Sequence, residues 1–103
     1  MRLSNSQRSL IRECVESLLG SEVEIFVFGS RLNDSLRGGD VDLMLISPRS
    51  IPLVKKLELE RDLEDRLGLP VDILVIPPQG PQTAFQHLAI ERAQKLPPVE
   101  LRI

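Results

Sequence analysis

The stretch that decides the fold is FGSRLNDSLRGGDVDLMLIS, residues 28–47, which begins at the end of one apolar run and closes with another. It contains a Gly-Ser pair near its start and two aspartates, Asp40 and Asp42, at the front of the apolar run VDLMLI. Side chains alternate across a β-strand, so Asp40 and Asp42 are predicted to lie on one face of it. Acidic side chains are rare in buried strands, and this pair therefore requires a chemical explanation.

Two further apolar runs predict strands on either side of this stretch. VEIFVF, residues 23–28, is β-branched and aromatic and ends at Gly29. VDILVI, residues 71–76, is bounded by prolines. Together with residues 41–46, these runs predict a small sheet.

Three longer helices are predicted around the strands. Ser4 and Gln7 have the spacing of a capping box, and the apolar periodicity that follows them ends at Gly20. Residues 51–67 carry a broad apolar face that ends at Gly68. A third helix is predicted at about 83–96. The stripe predicted to be buried in the second helix consists of Leu53, Val54, Leu57, Leu59, Leu63 and Leu67. The stripe predicted to be buried in the third consists of Phe85, Leu88, Ala89, Ala93 and Leu96.

The order of elements is helix, strand, short helix, strand, helix, strand, helix, in which the short helix is RLNDSL, residues 31–36. This order predicts the α/β (α+β) class, with a small mixed sheet of three to four strands and helices packed against it. The 103 residues are expected to form a single domain, 1–103, with a core over 23–76 and a C-terminal helix at about 83–96. The tail VELRI is expected to be disordered, to add a strand, or to dock on a partner.

The composition disfavours several classes of function. Thirteen basic and fifteen acidic residues, with no Trp or Tyr, disfavour extended nucleic-acid binding. The single cysteine, Cys14, excludes an internal disulfide and a Cys-based zinc site and is assigned to the core. His87 is assigned a surface or packing role. With no membrane span or secretory signal in view, we expect a cytoplasmic protein without membrane association.

Asp72 repeats the acidic anomaly at the front of VDILVI. If the strands at 41–46 and 71–76 are neighbours in register, three carboxylates converge. Asp40 and Asp42, at a separation of about 6–7 Å on one strand, are expected to repel by roughly 2–3 kcal/mol at an effective dielectric constant near 20. Three oxygen donors without clustered His or Cys suit Mg²⁺, whose shell is completed by phosphate oxygens. The structural alternative is that Asp40 ends a turn and that Asp72 faces water at a strand edge.

The Gly29-Ser30 pair is a candidate phosphate-binding turn. It follows a predicted strand and opens a predicted helix, so backbone N–H groups and the Ser30 hydroxyl are suited to bind phosphate. A Gly-Ser pair alone usually means only a turn, and the sequence contains neither G-x-x-x-x-G-K-[ST] nor G-x-G-x-x-G. The signal is specific only in combination with the acidic residues that follow.

That combination carries a family resemblance. An apolar strand, Gly-Ser, nine residues and then Asp-apolar-Asp-apolar resembles the signature of the DNA polymerase β-type nucleotidyltransferase superfamily. With the later acidic strand, the chain most resembles the minimal nucleotidyltransferase (MNT) domain, the antitoxin of HEPN/MNT toxin–antitoxin modules. The site residues that the resemblance implies are Gly29, Ser30 and Arg31 for the nucleoside triphosphate, and Asp40, Asp42 and Asp72 for two Mg²⁺ ions and catalysis.

The resemblance also implies an activity and a partner. Similar minimal nucleotidyltransferases are paired with a helical HEPN-like toxin, and several transfer AMP from ATP to a tyrosine of that partner. This chain contains no tyrosine, so a tyrosine acceptor must belong to another polypeptide. We expect Mg²⁺-dependent adenylylation of a partner protein. The alternatives are an inactive module that neutralises its partner by surface contact, and nucleotide transfer to RNA or a small hydroxyl compound.

Overall fold

A computed structural model describes residues 3–28 and 40–96 of the chain. In these residues, four strands form one mixed sheet in the order β3-β2-β1-β4, and three helices pack against it. The predicted α/β class is confirmed, while the short helix predicted at 31–36 falls outside the described residues. The helices are α1 (Asn5–Leu19), α2 (Leu53–Leu67) and α3 (Ala84–Arg92), and the strands are β1 (Glu24–Phe28), β2 (Val41–Ile46), β3 (Val71–Ile76) and β4 (Gln94–Lys95).

The pairing of the three long strands brings the carboxyl end of β1 next to the amino ends of β2 and β3. β1 and β2 are antiparallel, with Phe28 opposite Asp42. β2 and β3 are parallel, with Asp42 opposite Asp72, and α2 makes the crossover that a parallel pair requires. The carboxyl end of β1 therefore lies beside the amino ends of β2 and β3, and all three acidic positions fall at this end of the sheet.

The ends of the first two helices follow the predicted signals. At the start of α1, the Ser4 hydroxyl accepts a hydrogen bond from the Gln7 N–H at 3.1 Å, and the Gln7 side chain accepts one from the Ser4 N–H at 2.9 Å. This reciprocal pair is the predicted capping box. At the end of α2, Gly68 has φ of 71°, in the left-handed region that favours glycine.

The main core lies between the sheet and the pair α1 and α2. It contains Ile11 and Val15 from α1 and Leu59 and Leu63 from α2, all fully buried. Cys14 packs among them, as predicted, with 2% of its surface exposed. Burial raises the pKa of the Cys14 thiol, and a hydrogen bond to the Asp62 carboxylate raises it further. The strand residues of this core are Ile25, Val27, Val41, Leu43, Leu45, Val71 and Ile73.

The opposite face of the sheet has a smaller core under α3. Ala89 of α3 is buried against Met44 and Ile76. A helix residue as small as alanine lets α3 lie close to the strands. Half-buried residues that complete this cluster are Phe26, Phe28, Ile46, Leu74 and Ala93. The side chains of Asp42 and Asp72 belong to this same face, because they are two residues before Met44 and Leu74.

The apolar stripe predicted for the start of the second helix is wrong. Leu53, Val54 and Leu57 are 65%, 74% and 53% exposed, whereas Leu63 is fully buried. Nine residues at about 100° each place Val54 roughly opposite Leu63 around the helix axis. The helix begins at Leu53 and not at residue 51. The face predicted to be buried is thus divided in two: Leu59 and Leu63 are buried, whereas Leu53, Val54 and Leu57 form an exposed apolar patch.

The C-terminal helix predicted over 83–96 is too long. α3 ends at Arg92, and Gln94–Lys95 instead pairs with β1 as strand β4. The Leu96 N–H donates to the Ile25 carbonyl at 2.9 Å, and Leu96 is buried in the main core rather than under α3. Pairing satisfies backbone groups on the outer edge of β1 that would otherwise lack partners, which outweighs another helical turn. None of the helices in residues 3–28 and 40–96 is long and apolar enough to cross a bilayer.

Two glutamates of α2 hydrogen bond to the outer side of β3. The Glu64 carboxylate accepts the Val71 N–H at 2.9 Å, and the Glu60 carboxylate accepts the Ile73 N–H at 2.9 Å. β3 is an edge strand, and unpaired edge groups invite pairing with other chains. The two carboxylates therefore cover the edge and fix α2 over the crossover, a role that the helix pattern alone did not reveal.

Replacement Glu64→Ala is expected to lower the free energy of unfolding by roughly 1–2 kcal/mol, because it removes a charge-assisted hydrogen bond and leaves a strand N–H without its acceptor. Urea unfolding followed by circular dichroism measures the change. Asp65→Ala, which removes the same charge from the next, exposed position of α2, is the matched control and is expected to have little effect. Equal stability of Glu64→Ala and the control would contradict the role assigned to Glu64.

Candidate functional site

The candidate site is a pair of in-register carboxylates, Asp42 on β2 and Asp72 on β3. The two residues are direct partners in the parallel ladder, so their side chains leave the sheet on the same face. Each of them is the second residue of its strand. The condition on which the predicted convergence depended, that these strands are neighbours in register, is met.

The acidic residues differ in burial. Asp42 is half-buried on the central strand β2, whereas Asp72 is exposed on the edge strand β3. Asp40 is exposed and directly precedes β2, two residues before Asp42. The Val41 N–H donates to the Pro70 carbonyl at 2.9 Å, which continues the pairing to the start of the strand. Asp72 is thus exposed on an edge strand, as the purely structural explanation of this residue requires. It also lies directly opposite a second acidic residue, Asp42, which that explanation does not account for.

The donor chemistry of the pair suits a divalent cation. Within residues 3–28 and 40–96, no group of three or more His, Cys, Asp or Glu side chains is arranged to hold a metal ion. Mg²⁺, however, usually takes one or two carboxylates from a protein and completes its shell with water and phosphate oxygens. Asp42 and Asp72 supply two carboxylates on one face and so fit that requirement.

The predicted phosphate-binding residues Gly29, Ser30 and Arg31 lie outside the described residues. The strand that leads to them is described: β1 ends at Phe28, directly opposite Asp42. Gly29 therefore follows a residue that is already beside the acidic pair. The assignment of these three residues to phosphate remains a prediction.

An aromatic side chain that sequence analysis had placed in a buried stripe lies exposed near the acidic pair. Phe85, in the first turn of α3, is 58% exposed. Its ring centre is 6.3 Å from that of Phe28, with the two rings inclined at 69°. The prediction from periodicity that Phe85 is buried is wrong, because periodicity shows which residues share a helix face but not where the neighbouring sheet ends. His87 is exposed, as predicted.

A cavity of about 420 Å³ lies elsewhere, beyond the carboxyl end of β2. It is lined by Leu18 and Leu19 of α1 and by the segment 47–52, with Arg49 and Lys55 at its walls. None of the acidic residues at 40, 42 or 72 lines it. The chemistry of the carboxylate pair, and not the size of this cavity, identifies the candidate site.

If Asp42 and Asp72 repel one another in the absence of a cation, then removing one charge should stabilise the fold. Asp72→Asn is expected to raise the free energy of unfolding by about 0.2–1 kcal/mol, the range for cross-strand pairs, when measured in EDTA. Asp65→Asn, at an exposed position of α2, controls for the change in net charge. A loss of stability in Asp72→Asn, measured by urea unfolding beside this control, would refute the repulsion.

A comparison with protein families agrees with the geometry. The model of the nucleotidyltransferase domain family matches residues 8–96, which include all the described strands and the acidic positions. The chain therefore belongs to the nucleotidyltransferase domain family. No curated protein sequence shows significant similarity to it.

Solved structures of other proteins share the fold. A chain in the crystal structure of a toxin–antitoxin with AMP-PNP has a TM-score of 0.74 at 16% identity, covering 93% of this chain and 74% of that one. A chain in the toxin–antitoxin MntA–HepT has a TM-score of 0.70 at 14% identity, covering 92% and 73%. A chain in the tri-AMPylated Shewanella oneidensis HEPN toxin in complex with MNT antitoxin has a TM-score of 0.61 at 17% identity, covering 88% and 72%. At these identities, the likeness shows the fold.

Proposed function

We propose that this chain is an MNT antitoxin that transfers AMP from ATP to a hydroxyl group of a HEPN-like toxin in a Mg²⁺-dependent reaction. The observation that carries the proposal is the in-register pair Asp42 and Asp72 on one face of a nucleotidyltransferase domain. Structures that share the fold support the partner, since they include MntA–HepT and an AMPylated HEPN toxin with its MNT antitoxin. The structure with AMP-PNP supports an adenine nucleotide as substrate.

The proposed reaction joins the acceptor oxygen to the α-phosphorus of ATP. The bond from that phosphorus to the oxygen bridging to the β-phosphate breaks, and pyrophosphate leaves with the electron pair. Bound Mg²⁺ would supply activation of the acceptor hydroxyl and neutralisation of the leaving group. Asp40 and Asp42 would hold the ions and orient the α-phosphate. Asp72 would share a metal ion with Asp42. Because Asp72 is exposed at the sheet edge, where an incoming hydroxyl has access, it would also accept the proton of that hydroxyl.

The remaining substrate contacts are assigned to Gly29, Ser30 and Arg31, which lie outside the described residues. The backbone N–H groups of Gly29 and Ser30 and the Ser30 hydroxyl would bind the β- and γ-phosphates, and the Arg31 guanidinium would neutralise part of their charge. Residues 1–103 contain no tyrosine, so a tyrosine acceptor would lie outside this sequence.

The direct test combines the purified chain, α-labelled ATP, Mg²⁺ and the product of the neighbouring gene. We expect label on the partner with the wild-type chain and none with Asp40→Ala/Asp42→Ala. Asp65→Ala, which alters an exposed acid of α2 away from the site, is the matched control and should transfer label normally. Label transfer that persists in the double variant would refute the catalytic assignment.

The same experiment separates the alternatives. Neutralisation of the toxin without label, in both the wild type and the double variant, would identify an inactive module that acts by surface contact. Label on RNA or on a small hydroxyl compound, in place of protein, would show that the proposed acceptor is wrong but that the chain is a nucleotidyltransferase. The net charge of −2 provides no general attraction to RNA.

A further inference from the structure

Phe85 is the exposed member of a very small aromatic set. The sequence contains three phenylalanines and no Trp or Tyr. Phe26 and Phe28 are half-buried on β1, whereas Phe85 is 58% exposed at the start of α3. A single exposed apolar side chain is ordinary on a protein surface. What distinguishes Phe85 is its position relative to the acidic pair.

A short path of contacts links Phe85 to Asp42. The Phe28 ring packs against the Phe85 ring with centres 6.3 Å apart. Phe28 is in turn the cross-strand partner of Asp42, and directly opposite residues in an antiparallel pair have Cβ atoms about 4.5–5.5 Å apart on the same face. Phe85 therefore contacts the residue that is the cross-strand partner of the half-buried Asp42.

The ring geometry leaves a stacking surface available. At an interplanar angle of 69°, Phe28 and Phe85 meet edge to face and are not stacked on one another, and 58% of Phe85 is exposed to solvent. In a nucleotide whose α-phosphate lies at Asp42, the ribose alone separates that phosphate from the base. The base is thus one sugar away from the α-phosphate, and Phe85 contacts the residue directly opposite Asp42.

We propose that Phe85 is a nucleotide-positioning residue on which a purine base stacks while the phosphates lie at the acidic pair. The inference rests on the proposed function, because it takes a nucleoside triphosphate as the ligand. Stacking on a phenyl ring uses the π-face that every base has, and a purine offers more of it than a pyrimidine. ATP and GTP are therefore expected to bind more tightly than CTP and UTP.

The absence of Trp and Tyr makes a direct test possible. Phe85→Trp gives the chain a single indole fluorophore at the proposed platform. Titration with ATP and Mg²⁺ is expected to quench it, whereas inorganic triphosphate with Mg²⁺, which has no base, is expected to bind without comparable quenching. Unchanged fluorescence at ATP concentrations that saturate the wild-type chain by calorimetry would overturn the inference.

Calorimetry on unlabelled variants gives an independent test. Phe85→Ala is expected to weaken ATP binding roughly 5- to 150-fold, the range for removing one stacked base, and to leave inorganic triphosphate binding unchanged. Phe85→Leu keeps an apolar contact with Phe28 and should show the same selective loss if Phe85→Ala fails to fold. Ile90→Ala, on the same helix but about 140° around its axis from Phe85, is the matched control.

Each outcome separates this inference from the function on which it rests. If the wild-type chain binds neither ATP nor triphosphate, the proposed function fails. If ATP affinity survives in both Phe85 variants, only the stacking role fails. Equal weakening of ATP and triphosphate would show a structural effect and overturn the stacking role. Retained ATP affinity with lost transfer to the partner would assign Phe85 to protein docking instead and overturn it as well.

Discussion

Replacing Asp42 by asparagine is expected to lower the rate of nucleotidyl transfer by roughly 10³-fold or more. A bound metal ion contributes several kcal/mol to stabilising charge in a phosphoryl-type transition state, and each 1.36 kcal/mol corresponds to a tenfold change in rate. Asp42 is the half-buried member of the pair and lies on the central strand, so its position is fixed by neighbours on both sides. Asparagine keeps the size of the side chain but removes the charge that holds a cation.

Single-turnover transfer of labelled AMP to the partner measures this loss, with the chain in excess. Asp65→Asn, which makes the same chemical change at an exposed position of α2, should retain the wild-type rate. Circular dichroism of Asp42→Asn should match the wild type, so that lost activity is not lost structure. Activity within tenfold of the wild type would remove Asp42 from the catalytic group.

The second large effect concerns the core beneath the site. Leu43 follows Asp42 on β2 and points to the opposite face, where it is fully buried under α1 and α2. Leu43→Ala is expected to lower the free energy of unfolding by about 2–5 kcal/mol, from lost burial and the cavity that remains. Single domains are stable by only about 5–15 kcal/mol, so this loss is a large fraction of the total stability.

Leu53→Ala is the matched control for Leu43→Ala. The same atoms are removed, but Leu53 is 65% exposed at the start of α2, and the expected change is within about 0.5 kcal/mol. Urea unfolding of the two variants gives the comparison. Similar losses would mean that Leu53 is buried in solution or that Leu43 is not, and either result would contradict the packing of the sheet against α2.

The strands were predictable because their signal is local. VEIFVF, VDLMLI and VDILVI are short β-branched or apolar runs closed by Gly or Pro, and they match β1, β2 and β3 to within one residue. The sequence did not predict the register that brings Asp42 beside Asp72. The convergence of the carboxylates was predicted only on the assumption that the two strands are neighbours in register. Periodicity shows which residues share a face, but the alignment of two strands depends on the crossover between them.

The errors have a common physical origin in tertiary contacts. The pattern of Phe85, Leu88 and Leu96 is helical, yet Leu96 is buried in the main core because Gln94–Lys95 pairs with β1. Likewise, nothing in the spacing of Glu60 and Glu64 shows that their carboxylates accept strand N–H groups. Edge pairing and side-chain acceptors become visible only when the elements are assembled.

The part of the site assigned to the triphosphate remains a prediction. Gly29, Ser30 and Arg31 were assigned from the Gly-Ser pair and from the resemblance, and they lie outside the described residues. The described geometry bears on them only through the preceding residue, Phe28, which lies opposite Asp42.

A crystal structure with Mn²⁺ and a non-hydrolysable ATP analogue tests the central claim most directly, because Mn²⁺ replaces Mg²⁺ and gives an anomalous signal. The predicted result is an anomalous peak bound by Asp42, with Asp40 or Asp72 and an oxygen of the α-phosphate completing its shell. Well-defined nucleotide with no metal peak within coordination distance of Asp42, or with the Asp42 and Asp72 carboxylates turned apart, would contradict it.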